Sequence, residues 1–258
     1  MKSFKQLSQR GYSIIKQKGL RNFLARTIWR FIYKIPGIRS ILERYILKGD
    51  LQSRFIAIHK TNYWNSLESV SGSGSTLKAT ENLRAKLPDL IKRFGIESLC
   101  DAPCGDFSWI RDVILDLDIV YKGVDVVPDL ITSLQNFANE RITFECGDIR
   151  THDFNKFDLM LIRDCLFHLS YKDIDLVLKN LSQQNYKYLL TTSYLPDSTF
   201  INVDIETGGF RHIDLLSAPF NFPNNYTTSI ADWLEPESIR YLYMWEKNQV
   251  PTALKFPA

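Results

Sequence analysis

Cysteine is scarce in this 258-residue chain, with four residues in all, and none falls in the loop positions that a disulfide framework would use. Cys100, Cys104, Cys146 and Cys165 lie in or beside apolar runs, so they are expected to be reduced, buried and packed as small apolar groups. Cys100 and Cys104 have the loose spacing of a metal pair, but no second pair of Cys or His at ligand spacing accompanies them, and no metal site is assigned. Long apolar stretches are missing too. Nothing near the start is long enough to cross a bilayer, and no small-residue cleavage site follows a greasy core. A cytoplasmic protein is expected, and Asn225-Tyr226-Thr227 matches a glycosylation acceptor by spelling only. Internal repeats and low-complexity tracts are also lacking.

Acids are almost absent from the first 48 residues, which carry twelve Lys and Arg against the single acid Glu43. The remainder holds 20 basic and 28 acidic residues, so the overall charge of +3 hides a basic leader and an acidic body. Leu20, Phe23, Leu24, Ile28, Phe31, Ile32 and Ile35 recur at helical spacing, with Arg26, Arg30 and Lys34 at four-residue steps on another face. That pattern predicts a cationic amphipathic helix stopped by Pro36-Gly37, then a second short helix to Gly49. The apolar stripe suits either packing on the body of the protein or an in-plane contact with an anionic membrane, where Trp29, Phe31 and Tyr33 would sit among the basic side chains. The charge alone would also suit a nucleic-acid arm, but no base-reading chemistry accompanies it.

Residues 1–49 are therefore read as a basic helical extension, 50–95 as a helical connecting segment, and 96–258 as the main domain. With 45% hydrophobic residues, the chain can fill one core of ordinary size. Within the connecting segment, Ser71-Gly72-Ser73-Gly74-Ser75-Thr76 is too small and polar for a core. Its backbone N–H groups and hydroxyls suit a lid or cradle over a ligand, flanked by Trp64 and by a helix from Thr80 to Phe94.

From Ile96 onward, short apolar runs alternate with helical stretches, and four of the runs end in an acid: Asp101, Asp125, Asp148 and Asp164. A buried strand that stops at a carboxylate and is followed by a crossover helix reads as a parallel strand delivering that group to its carboxyl edge. The fold class is α/β, a doubly wound and mostly parallel sheet. Open sheets of this kind bind ligands at that edge. Carboxylates gathered there could accept hydrogen bonds from a ribose and an adenine and steady a cation. A fifth strand is expected at Tyr186–Thr192, then a loop-rich stretch from Leu195 to Pro236, then a final aromatic strand at Ile239–Trp245.

The turn after the first strand, Asp101-Ala102-Pro103-Cys104-Gly105-Asp106-Phe107, keeps only Gly105 of the three glycines in a dinucleotide fingerprint. A pyrophosphate cradle is thus poorly supported, whereas a cofactor without phosphates could sit over one close approach. These residues resemble the class I S-adenosylmethionine-dependent methyltransferases, whose first motif ends a strand with an acid and a Gly-rich turn. The resemblance spans roughly Ile96 to Thr192 and implies a Rossmann-like sheet with an antiparallel last strand. It implies S-adenosylmethionine as cofactor, with Asp125 on the ribose hydroxyls, Asp148 near the adenine amino group with Ile149 beside the ring, and Arg163, Asp164 and Cys165 near the reacting methyl. The full set of cofactor contacts it suggests is Trp64, Ser71, Gly74, Ser75, Thr76, Asp101, Pro103, Gly105, Asp106, Trp109, Asp125, Val126, Asp148, Ile149 and Arg163. Pro103 and Phe107 replace two glycines of the common turn. Trp64, the Ser71 to Thr76 segment, Pro103-Cys104-Gly105-Asp106, Arg163-Asp164-Cys165-Leu166-Phe167-His168-Leu169 and Asp204-Ile205-Glu206-Thr207-Gly208 look more closely similar to a bacterial subgroup that accompanies surface-polysaccharide assembly.

Methyl transfer from a sulfonium needs alignment and, for a sugar hydroxyl, a base. His168 lies four residues after Asp164, which on a helix would put both on one side. His168 is expected as base, supported by Asp164, with His212 as second candidate. Asp164 alone, or Asp164 with Asp204 and Glu206 around a divalent cation, is the other mechanism. Asp204, Glu206 and Arg211 are expected to bind substrate from a loop, and Phe220 to supply an apolar wall, a stretch that packing beneath the sheet explains as well. The expected reaction is O-methylation of a glycan or glycolipid precursor. A nucleic-acid or small-molecule methyltransferase, or a cofactor-binding protein without turnover, are the alternatives. Nucleic acid is disfavoured because Asp164-Cys165-Leu166-Phe167 lacks the Asn/Asp-Pro-Pro-aromatic signature of base methylation. Oligomeric state is left open.

Overall fold

The computed structural model describes residues 46–256 other than 196, 198 and 234–238. The amphipathic helix expected at 20–35, with its proposed membrane face, lies outside the described residues. Seven strands form one sheet: β1 (Ser98–Asp101), β2 (Val120–Asp125), β3 (Ile142–Cys146), β4 (Lys156–Ile162), β5 (Asn185–Tyr194), β6 (Thr228–Trp233) and β7 (Arg240–Glu246). Their order is β3-β2-β1-β4-β5-β7-β6. The first five are parallel, and β7 runs antiparallel to both β5 and β6. This is the doubly wound Rossmann-like sheet with a reversed last strand that the sequence predicts.

The alternation of apolar residues builds two cores. Cys100, Met160, Ile162, Leu189 and Trp245 point into one, whereas Leu99, Leu159, Leu161, Leu190 and Met244 point into the other. Strands covered on both faces read as near-continuous apolar runs, and six consecutive residues of β4, Phe157 to Ile162, are all buried. Helices α1 (Leu51–Thr61), α2 (Glu81–Arg93), α3 (Arg111–Asp116), α4 (Pro128–Leu134) and α5 (Tyr171–Gln183) supply the flanking layers and the cover of the sheet edge. Their starts follow local chemistry: the Asp50 carboxylate accepts the Ser53 amide at 2.8 Å, the Ser170 hydroxyl accepts that of Asp173 at 3.2 Å, and Pro128 opens α4.

Two expectations need correction. The stretch read as loop from Leu195 to Pro236 contains β6, which exists because β7 pairs with it from Thr228 to Trp233; its own residues alternate weakly. Cys146 is exposed, while Cys100, Cys104 and Cys165 are buried and all four are free thiols.

Candidate active site

Strand order alone gathers the acids. β1 lies between β2 and β4, and Asp101 pairs in register with Gly123 on one side and Leu161 on the other. Asp101, Asp125 and the Arg163-Asp164 pair therefore emerge side by side at one edge, where the strand order reverses. They line a single cavity with Trp64, Ser71, Ser75, Pro103, Gly105, Trp109, Val126, Ile149 and His168. Helix α1 roofs it through Leu51, Phe55 and Ile58, and Val127 and Leu130 from the start of α4 complete the apolar part of the wall. Phe55 and Ile58 follow Leu51 at helical spacing, a signal that was available in the sequence but submerged in the connecting segment.

The carboxylates are unequal. Burial pushes Asp101 up to about 7, against the pull of the Tyr121 hydroxyl, which donates to it at 2.9 Å, and of Arg163. Burial likewise raises Asp125 to about 6 although the amides of Gly105 and Val127 donate to it at 3.1 and 3.0 Å. Asp164 resists burial because Arg163 and Arg240 hold its carboxyl below the usual range. Its backbone takes the left-handed conformation, φ 51°, which an aspartate tolerates better than most residues. The Thr192 hydroxyl accepts its amide at 3.1 Å.

This turn corrects the expected helical pairing. Asp164 precedes a short 3-10 turn, Leu166–His168, and α5 starts only at Tyr171. Asp164 and His168 share the cavity wall through this turn, with no α-helix between them. The His168 Nδ1 lies 2.6 Å from the Gly209 carbonyl oxygen, which fixes Nδ1 as the protonated nitrogen and leaves Nε2 as an acceptor. Burial lowers the imidazole to about 4, against the pull of the Gly209 carbonyl and Asp164, so the ring is neutral near pH 7. Trp64 stacks on it at 4.9 Å.

Several expected site residues do other work. Asp106 accepts the Val70 amide at 3.0 Å and the Ser108 hydroxyl at 2.6 Å, clamping the Ser/Gly loop to the turn after β1. Thr76 accepts the Ala79 amide at 3.2 Å, ahead of α2. Gly74 sits behind the wall, where an added Cβ would come within 2.5 Å of Asp164. Asp148 is engaged by Arg150, at 3.0 Å from Nε and 2.6 Å from Nη2, and is absent from the cavity wall that Gly147 and Ile149 help to form. The expected substrate group is dispersed. Asp204 accepts the Tyr171 amide at 2.7 Å, Glu206 is an exposed partner of Arg54 at 3.6 Å, and the Arg211 guanidinium is buried over Tyr171 and donates to the Leu169 carbonyl at 2.7 Å. Phe220 is 1% exposed in the core against Tyr171. His212 stacks on Tyr194 at 4.1 Å, outside the cavity wall. Among the described residues no group of three His, Cys, Asp or Glu could hold a metal ion, so the Asp164, Asp204 and Glu206 arrangement is not assembled.

Two polar residues of this region were not singled out from sequence, Asp232 on β6 and Arg240 on β7. Both are buried, and their carboxylate and guanidinium pair at 2.8 Å beside Arg163 and Asp164.

No family model matches the sequence, and no curated protein matches it. Solved structures are similar in fold. PigF with SAH aligns at TM-score 0.51 and 12% identity over 80% of this chain and 62% of that one. Magnesium protoporphyrin IX methyltransferase (ChlM) from Synechocystis PCC 6803 with bound SAM aligns at TM-score 0.48 and 13% identity, over 85% of this chain and 96% of that one. Human N-acetylserotonin methyltransferase in complex with SAM aligns at TM-score 0.46 and 13% identity, over 96% of this chain and 70% of that one. At such identities the likeness, carried by the PigF alignment, is one of fold: the chain has the Rossmann-like architecture of PigF, a structure that holds SAH.

Proposed function

We propose that this chain is an S-adenosylmethionine-dependent methyltransferase acting on a sugar hydroxyl of a glycan or glycolipid precursor. The observation that carries this reading is the cavity at the β1, β2 and β4 ends, where Asp101 and Asp125 are buried with their carboxyls raised to about 7 and 6. Desolvated carboxylates of that kind are relieved by a ligand bearing hydroxyl donors and positive charge. An adenosyl sulfonium has both. Asp125 would take the ribose hydroxyls, Asp101 would face the positive end of the amino acid, and Phe55, Val126 and Ile149 would enclose the adenine. The single Gly105 approach suits a cofactor without phosphates. When bound, S-adenosylmethionine supplies an electrophilic methyl group to an acceptor aligned with it.

The chain's own share of the chemistry is a proton transfer. Neutral His168, its Nδ1 tied to Gly209, would take the acceptor's hydroxyl proton at Nε2. The acceptor side is favoured for a ring with an apolar face by the aromatic residues beyond His168. Phe210, 57% exposed, lies 5.8 Å from the His168 ring and 5.6 Å from that of His212, a surface that would pack against the C–H face of a pyranose. Among the described residues no helix is long and apolar enough to cross a membrane. The basic leader would bring the enzyme to an anionic membrane surface where lipid-linked precursors are built, on the cytoplasmic side.

Calorimetric titration with S-adenosylmethionine, followed by transfer of labelled methyl to fractionated cell-envelope precursors, tests this. Binding and a labelled glycan support it. A folded sample that binds no cofactor sinks the enzyme reading, and label found only in nucleic acid replaces the acceptor.

A further inference from the structure

At the cavity wall four charged side chains, Arg163 and Asp164 facing the cavity and Asp232 and Arg240 behind them, close a ring. The guanidinium of Arg163 donates to Asp232 from Nη2 at 2.9 and 3.0 Å and from Nε at 3.2 Å. Arg240 Nε meets the same carboxylate at 2.8 Å, and Arg240 Nη2 meets Asp164 at 3.1 Å. Arg163 Nη1 completes the circuit at 3.4 Å from Asp164. The Asp232 side chain is 0% exposed and that of Arg163 3%. Taking such charges out of water is costly, and apolar replacements are often as stable, so the ring calls for a role beyond holding β6 and β7 together.

That role follows from how Arg163 uses its donors. Nε and Nη2 are held by Asp232, and Nη2 also donates to the Gly74 carbonyl at 2.9 Å. The guanidinium plane lies over Trp109 at 5.0 Å. Only Nη1 keeps spare donor capacity, with the long contact to Asp164 as its one partner among the described residues. Arg163 lines the cavity and Asp232 does not. We propose that Asp232 is a positioning residue for the amino-acid end of the cofactor, fixing Arg163 so that Nη1 presents to a carboxylate in the cavity while Arg240 restrains Asp164. Without that anchor Arg163 is free to turn onto Asp164 and close the same space. This inference rests on the cofactor reading above.

Two ligands separate positioning from general damage. S-adenosylhomocysteine and 5′-methylthioadenosine share the adenosyl thioether, and only the first carries the amino-acid end. Asp232→Asn is expected to weaken S-adenosylhomocysteine about tenfold or more, the size of a lost charge-assisted hydrogen bond, and to leave 5′-methylthioadenosine within about twofold of the parent value. Asp232→Glu keeps the charge and shifts the carboxylate by one methylene. It should show the same selective loss in smaller measure, and it decides the matter if the Asn variant does not fold. Equal weakening of both ligands, or of neither, overturns the positioning role. A parent protein that binds neither ligand overturns the cofactor reading instead.

Discussion

The indole of Trp64 lies stacked against the imidazole of His168, with ring centroids 4.9 Å apart and planes 30° apart. One comes from the segment before the sheet and the other from the turn after β4, so the cavity's base is held by two distant parts of the chain. The Gly209 carbonyl pins the same imidazole from a third. A ring stacked on one face and hydrogen-bonded at Nδ1 keeps Nε2 in one place, and that restraint has kinetic consequences.

Replacing His168 with Gln should lower methyl transfer by about 10²–10⁴, the usual contribution of a positioned base, while S-adenosylmethionine affinity stays within about twofold because the ring is not needed to hold the cofactor. At saturating cofactor the parent rate should be flat from about pH 6 to 8, since the imidazole is already neutral well above its value of about 4. A rate that climbs steeply across that range in single-turnover assays would assign the base elsewhere.

Cofactor affinity should itself depend on pH through Asp101. Burial raises this carboxyl to about 7, and a cation binds its ionised form better. Affinity for S-adenosylmethionine is therefore expected to fall as pH drops below 7, by up to about tenfold per unit. In Asp101→Asn the parent affinity is lost, and with it the pH dependence above about pH 6.5; the fall that remains below about pH 6 belongs to Asp125. Calorimetry at pH 5.5, 6.5 and 8 checks both, and a parent curve independent of pH would remove Asp101 from the cation's side.

Much of this site was legible because parallel strands write themselves as apolar runs and an acid at the end marks an edge. Asp101, Asp125 and Asp164 follow from that rule, and the register of β1 between β2 and β4 brings them together. Asp148 obeys the same rule and yet turns to Arg150, a neighbour two residues away whose reach sequence spacing does not reveal. Asp232 was hidden for a different reason. Thr228–Trp233 has little strand character of its own and becomes a strand by pairing with β7, so nothing local announced that an acid there would meet Arg163. Phe220, read as a possible wall of the acceptor site, shows the reverse error, since an aromatic between prolines fits the core as well as a pocket.

The titration of His168 should also be visible in stability. Its folded value of about 4 lies below the ordinary 6.5, so between these values the unfolded chain binds the extra proton. Stability from this group is thus intact above pH 6.5 and is lost as pH falls through 4. Asp101 acts in the opposite sense over pH 4–7, which makes the single curve uninformative and the difference between variants decisive. Denaturation of the parent and His168→Gln should show the parent's advantage shrinking by on the order of 3 kcal/mol from pH 7 to pH 4. A constant difference would mean that the imidazole titrates normally.

Two glycines separate backbone strain from contact. Gly95 and Gly105 both adopt positive φ, 57° and 55°, but an added Cβ at Gly95 meets nothing within 4 Å, whereas at Gly105 it would lie 2.3 Å from the Ser71 hydroxyl oxygen. That hydroxyl accepts the Asp106 amide at 3.1 Å, and the Gly105 amide donates to Asp125 at 3.1 Å. Gly95→Ala should therefore cost only the strain of the left-handed conformation, about 1 kcal/mol, and leave cofactor affinity unchanged. Gly105→Ala should cost about 1–3 kcal/mol more, because the Ser/Gly loop must lift off the turn, and it should weaken S-adenosylmethionine as Ser71 is pushed from its place in the cavity wall. Equal losses in the two variants, measured by urea denaturation with cofactor titration of each, would show that the loop yields freely and does not brace the ribose side of the cavity.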